Sequence, residues 1–202
     1  MRTSILVATA MLNASAGLSQ MNPSAQQLFE TGQYEPALQA LGGGRAGGAL
    51  DPANRYLAVQ IHLRLSRPDD ARRELESLGT DPSAAWRLVA QSSQALINRD
   101  LQRALDRANE AAAATPDHFG AQYQLGLVNL ERADWTKAGE AFERASRINP
   151  SFAYAFYYAG LAYSRVKRAD KTAEQFERFL KLAPKAPERP GVESIVRTLR
   201  GR

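Results

Sequence analysis

The stretch that decides the architecture is "GLVNLERADWTKAGEAFERASRINP", residues 126–150, because residues 160–184 say it again as "GLAYSRVKRADKTAEQFERFLKLAP". At that offset of 34, eight of the 25 positions are identical: Gly, Leu, Lys, Glu, Phe, Glu, Arg and Pro. Working outward, the closing proline recurs on the same period at Pro82, Pro116, Pro150 and Pro184. Proline cannot continue a helix, and it pushes the residue before it out of the α region, so these prolines mark four equivalent helix ends. A fixed period of this size signals stacked supersecondary units rather than one globular core.

Each unit holds two amphipathic helical patterns. In the unit spanning 119–152, the first helix presents Leu125, Gly126 and Asn129, Ala133-Asp134 makes the turn, and the second helix presents Ala138, Phe142, Ala145 and Ile148. Their spacings of four, three and three form one apolar stripe. Gly126 and Ala138 are small enough for two backbones to approach closely, and Phe142 fills the space beside them. The unit 153–186 repeats this with Gly160, Tyr163, Phe176, Phe179 and Leu182, with Thr172 where Ala138 stood. In the unit 85–118, Ser92 replaces the glycine, while Ala104, Ala108, Ala111 and Pro116 hold the frame. The unit 51–84 is looser: Ala71 and Leu75 fall one place late, and its helices are predicted at roughly 53–65 and 68–78. Residues 22–50 contain a partial unit, "LFETGQYEPALQAL", with a turn at Gly32-Gln33-Tyr34 and packing residues Ala37 and Leu41. It runs into "GGGRAGGAL", whose five glycines in nine residues predict a loop and the most mobile internal part of the array.

This combination of Leu125-Gly126, Ala138, Phe142, Ala145 and Pro150 resembles the tetratricopeptide repeat family. Gln122 and Asn129 depart from the aromatics usual there, and Tyr163 restores the second in the next unit. The resemblance implies an all-α, right-handed solenoid of helical hairpins. The segment 187–202, with Val192, Ile195, Val196 and Leu199 on one face, is expected to close it as a capping helix. The alternative for this helix is a membrane-surface role, which its lack of Trp and Phe disfavours.

The resemblance also implies a concave face, lined by the first helix of each unit, that binds a protein or peptide partner. Places two, five, six and nine of the first helices are then Pro52, Arg55, Tyr56 and Val59; Trp86, Val89, Ala90 and Ser93; Gly120, Tyr123, Gln124 and Leu127; Tyr154, Tyr157, Tyr158 and Leu161. This set is aromatic and nearly uncharged, so it does not match the Lys/Asn/Arg clamp with which some co-chaperone members of the family hold a terminal carboxylate. Trp and Tyr join an apolar ring to a hydrogen-bonding tip, which suits protein recognition. Trp86, Tyr123, Tyr154 and Tyr157 are therefore the expected partner-binding residues; the other reading is that they pack between neighbouring helices.

The N-terminus, "MRTSILVATAMLNASAGLSQ", has a basic start, an apolar run from Ile5 to Leu12 and the small-x-small site Ala14-Ser15-Ala16. This order predicts a signal peptide over residues 1–16 and a periplasmic or secreted protein in a bacterial cell envelope; a first helix of the soluble fold is the alternative. The run is too short to span a bilayer, so stable membrane insertion is not expected.

The formal net charge is +5, and the stretch from Lys181 to Arg202 carries six basic and two acidic residues. Such a tail is either a solvated end of the array or a contact for an acidic partner, anionic lipid or polyanion. It contains no aromatic residue, so nucleic-acid binding is not expected. Cysteine is absent, which removes disulfides, thiol nucleophiles and thiolate metal sites.

The only histidines, His62 and His118, lie far apart in the array, and no acidic group shows metal-ligand spacing, so no metal and no cofactor are expected. Asp69, Asp70 and Asp100 lie at turns, where carboxylates cap backbone amides. "GGGRAGG" lacks the Lys-Ser/Thr of a phosphate loop, and no serine sits in a nucleophile elbow. The sequence therefore predicts a non-enzymatic interaction scaffold; its alternatives are a self-associating structural subunit and a basic-tail binder of membrane surfaces or polyanions.

Overall fold

A computed structural model describes residues 21–43 and 50–201, so the expected signal peptide and most of the glycine-rich stretch lie outside the described residues. The described chain is all-helical. A first hairpin pairs α1 (Pro23–Glu30) with α2 (Tyr34–Gly43). Four more follow: α3 (Pro52–Arg64) with α4 (Pro68–Leu78), α5 (Ala84–Ile97) with α6 (Leu101–Ala114), α7 (Phe119–Glu131) with α8 (Trp135–Ile148), and α9 (Ala153–Arg165) with α10 (Ala169–Leu182). Helix α11 (Arg189–Leu199) packs on α10 at the end of the row. Each helix packs on the next in sequence, so the hairpins stack into a solenoid.

The hairpins share one turn. Gly32, Ser66, Arg99, Ala133 and Lys167 all have positive φ, between 57° and 76°. At each, the N–H of the left-handed residue donates to the carbonyl three back and the next N–H to the carbonyl five back, as from Ala133 to Leu130 and from Asp134 to Asn129. This double closure satisfies carbonyls that the helix end would leave orphaned. Ser66 stands 33 residues before Arg99, whereas the later steps are 34. The unit 51–84 thus takes one extra residue before its turn, which is why Ala71 and Leu75 fall late in the frame. Gly32 lies 34 before Ser66 and carries the same turn, so the N-terminal piece is a hairpin of the same construction.

Caps complete the frame. Asp100 and Asp134 accept from the N–H groups of Arg103 and Lys137, and Asn22 from those of Ser24 and Ala25. Asp69 and Asp70 depart from the expected capping role. Pro68 already opens α4, so both fall within its first turn, where they pair with Arg72 and Arg73.

Small residues set the spacing between hairpin arms. A Cβ on Gly126 would lie 2.7 Å from the Phe142 ring, and one on Gly160 would lie 2.5 Å from the Phe176 ring. Both rings are fully buried between their two helices. At the other end, α11 buries Val192 and leaves Ile195 and Leu199 exposed at 38% and 39%, so only part of its apolar face covers the array.

A closed aromatic face as the candidate functional site

The first helices of the hairpins point their aromatic residues inward, and there they meet one another. Tyr56 on α3 lies 5.7 Å from Trp86 on α5 and 6.4 Å from Tyr123 on α7, between ring centres. Tyr123 continues the series to Phe152 at 5.3 Å and Tyr158 at 6.2 Å, and Tyr154 packs on Tyr157 at 5.7 Å. Such tilted and edge-on pairs are favourable beyond the area they bury. A buried polar line runs through the same layer. The Tyr56 hydroxyl donates to Gln124 Oε1, Gln124 Nε2 donates to Ser92 Oγ, and the Ser92 hydroxyl donates to the Ala104 carbonyl. Ser92, where the units 119–152 and 153–186 have glycine, is thus the middle of a chain joining α3, α5, α6 and α7. Burial pushes the Tyr56 hydroxyl pKa far up, so it stays protonated and remains a donor.

The inner face is closed by the chain's own N-terminal hairpin. Phe29 on α1 lies 5.1 Å from Tyr154 and 6.2 Å from Phe152. Beside it, Gln26 Nε2 donates to the Ser151 carbonyl at 2.8 Å, and the Ala153 N–H donates to Glu30 Oε1 at 2.7 Å. Glu30 thereby caps α9, a helix 123 residues away in sequence. Glu30 is 5% exposed, and burial raises its carboxyl pKa to about 7, against smaller opposing effects of the Ala153 and Gln26 hydrogen bonds.

Further along, the turn at Gly32 abuts Pro187, where an added Cβ would stand 2.8 Å from the ring. Arg64, at the end of α3, completes the seam. It donates to the Tyr158 hydroxyl at 2.6 Å, lies 3.4 Å from Glu188 and 5.0 Å above the Tyr154 ring, while the Tyr154 hydroxyl donates to Glu188 at 2.9 Å. At the mouth of the face, where helix N-termini converge, Met21, Gln26, Glu30, Trp86, His118 and Phe119 help to line a cavity of about 700 Å³. His118 Nδ1 accepts the Ala121 N–H there, and burial holds the imidazole pKa down, which keeps that acceptor available.

The structure gathers the expected partner-binding residues into this layer. Trp86, Tyr123 and Tyr154 are buried at 5%, 2% and 0% exposure, and Tyr157 is half-buried against them. Their rings are engaged by neighbouring helices and by α1. Sequence reading missed Phe29, Arg64 and Glu188; Phe29 meets Phe152 and Tyr154, and Arg64 meets Tyr158 and Glu188, across 94 to 125 residues, and the only local signal was the aromatic next to Glu30 in "LFETGQY". His62 lies in α3 with Nδ1 3.8 Å from Asp70. Among the described residues no group of three or more His, Asp or Glu side chains is placed to hold a metal, and no helix is long and apolar enough to cross a membrane.

Comparison with solved structures fixes the fold. The described hairpins match YrrB, a TPR protein with an unusual peptide-binding site, with a TM-score of 0.52 over 84% of this chain and 88% of YrrB, at 18% identity. The described chain has the fold of a tetratricopeptide-repeat solenoid. The MamA RS-1 ArsTM double mutant matches this solenoid at TM-score 0.51 and 21% identity, over 74% of this chain and 93% of that one. No family model matches the sequence. Among curated proteins, the solenoid is 31% identical over 125 residues to cellulose synthase 2 operon protein C of Komagataeibacter xylinus, which covers 60% of this chain and 9% of that protein. It is 26% identical over 106 residues to anaphase-promoting complex subunit 3 of Schizosaccharomyces pombe, covering 52% and 16%. The solenoid therefore spans only a small part of the length of these curated relatives.

Proposed function

We propose that this chain is an exported, non-catalytic interaction scaffold of a bacterial cell envelope, and that a segment of a partner protein binds its inner aromatic face. The observation that carries the reading is the aromatic layer around Trp86, Tyr123, Tyr154 and Tyr157. It is continuous across four hairpins, and aromatics of this kind dominate the energetics of protein recognition. Export is supported by the leader-like order of residues 1–16. The likeness to a Komagataeibacter operon protein agrees with a bacterial setting.

Tyr157 is the residue to test, because it is half-buried and its loss leaves the core pairs in place. We expect the tagged chain, crosslinked in its native cell, to capture a reproducible partner that Tyr157→Ala releases while the far-UV circular dichroism stays unchanged. A partner retained by that variant places the contact elsewhere and sinks the reading.

A second reading has the exposed Ile195 and Leu199 in its favour: contact of α11 and the basic tail with a membrane surface or polyanion. Two of its cations are already engaged, Arg189 with Glu193 at 2.7 Å and Arg200 with Glu177 at 2.8 Å. Salt separates the two readings. Tail binding weakens steeply as ionic strength rises, and burial of an aromatic segment does not.

A further inference from the structure

Residues 21–30 sit on the aromatic face in the manner of a docked ligand. Met21, Ala25 and Phe29 recur at every fourth place, and all three are buried. Phe29 enters between the rings of Phe152 and Tyr154 as a single anchor. The flanking Gln26 and Glu30 reach main-chain groups of residues 151 and 153 rather than side chains. Main-chain groups are offered to any occupant of matching geometry, so the seat recognises a side-chain order and not one particular helix.

The resident occupant also fits with a cost. Glu30 is buried, and among the described residues no cation bonds to it; Gln26 and the Ala153 N–H are its partners. The ionisable groups around the same cavity are Asp81, Asp117 and His118, so the surroundings bring two more carboxylates and an imidazole that burial keeps neutral. A buried carboxyl without a counter-charge disfavours its own ionised form, which is why burial raises its pKa to about 7.

We propose that the partner segment is an amphipathic helix with the side-chain order of residues 21–30, and that it binds by taking the place of α1 on Phe152 and Tyr154. The order is apolar, small apolar and aromatic at successive fourth places, with a main-chain-bonding residue after each of the last two. This rests on the reading that the inner face is the binding face, and it names what that face accepts.

The test uses the full chain and a fluorescein-labelled synthetic peptide of residues 21–33, with binding read by anisotropy. Removing the resident anchor with Phe29→Ala should raise the chain's affinity for the peptide at least tenfold over the unaltered chain. The Phe29→Ala version of the peptide should lose at least tenfold. Absence of saturable binding to the Phe29→Ala chain, in protein whose helical spectrum matches the parent, overturns the proposal. Gln26→Ala removes the hydrogen bonds to Ser151 and Glu30 and keeps the anchor, so it provides a milder opening of the seat if Phe29→Ala unfolds the first hairpin. It should raise peptide affinity by a smaller factor, and no rise overturns the exchange.

A peptide carrying Glu30→Gln adds a pH arm in which the peptide itself brings no titrating side chain, and the Glu30→Gln chain separates the resident carboxyl from His118. Its affinity for the unaltered chain should rise roughly 25-fold between pH 5.5 and 8, because ionisation of Glu30 loosens α1. In the Glu30→Gln chain that rise should vanish, and equal affinities at the two pH values in the unaltered chain overturn the exchange. A concentration-dependent dimer of Phe29→Ala that the peptide disperses identifies a second copy as the occupant and overturns a separate partner. If a cellular partner is lost with Tyr157→Ala but the peptide never binds, the exchange alone fails and the inner-face reading stands.

Discussion

Helices α7 to α10 and the hairpin α1–α2 are built from similar pieces, yet different physics holds them in place. Between α7 and α8, and again between α9 and α10, a glycine faces an aromatic ring across a gap that admits nothing larger, at Gly126–Phe142 and Gly160–Phe176. These contacts join residues 16 apart and recur on the 34-residue period. The first hairpin is held on the inner face by Phe29, Gln26 and Glu30, acting on residues 123 to 125 positions away. Shape complementarity holds the middle of the array. At the seam, one aromatic anchor, a few polar bonds and an uncompensated carboxyl do the holding, so the seam is the place to expect pH sensitivity and exchange.

The comparison can be broken first at its strong side. Phe142→Ala should lower the unfolding free energy by about 3–5 kcal/mol in urea titration, because a buried ring is lost from a site that the rigid helix pair cannot collapse. A loss below about 1 kcal/mol would show that the packing there is looser than the glycine contacts indicate.

At the seam, Glu30 has a native pKa of about 7 against an ordinary value of 4.5. The native state therefore holds a proton that the unfolded chain releases, so the contribution is fully present below pH 4.5 and lost as pH rises to about 7. Stability should fall by on the order of 3 kcal/mol across that window from this group alone. In Glu30→Gln that part of the slope should disappear, and matched urea titrations of the two chains at pH 5 and pH 7 measure it. An unchanged slope would remove Glu30 as the source.

Arg64→Ala leaves Glu188 and the Tyr158 hydroxyl without their guanidinium, and should cost about 2 kcal/mol. Hydrogen exchange sharpens this case: protection should drop in α1 and α2 and stay unchanged in α7 and α8. Equal loosening of both regions would mean that the seam and the middle unfold as one unit.

Smaller effects test the frame. Asp134→Ala removes the cap on α8 and should cost about 1 kcal/mol in thermal unfolding. Ala133→Gly should stabilise by about 0.5–1 kcal/mol, since Ala133 holds φ at 58° and glycine adopts that region without strain. Destabilisation by Ala133→Gly would show that chain entropy outweighs the strain there.

How far the sequence could be read follows from the same contrast. Pro150 and Pro184, the Gly126 and Gly160 pair and the stripe through Phe142 and Phe176 are local, so periodicity exposes them. The one-residue lag at Ala71 was visible as well, although its cause, the extra residue before the turn at Ser66, emerged only from the backbone. The inward places of the first helices were legible: Tyr56, Trp86, Tyr123 and Tyr154 all face the inner layer. What covers them was not. Phe29 carries no mark that distinguishes an aromatic packed in its own hairpin from one seated on another 123 residues on. Arg64 and Glu188 likewise read as ordinary solvated charges. For α11 the apolar stripe was legible, but its depth of burial was not, since Val192 is covered while Ile195 and Leu199 are exposed.

The sequence by itself determined the helical hairpin pattern and its spacing, the small residues that let the arms touch, and the aromatic chemistry of the inner face. All of these follow from steric and hydrophobic constraints that act within one period of the chain. The tertiary structure alone decided that the array closes on itself, that α1 occupies the aromatic face, and that Glu30 is buried there. Curvature accumulates from small rotations at every hairpin junction, so whether the first helix reaches the ninth is a property of their sum and of no single unit.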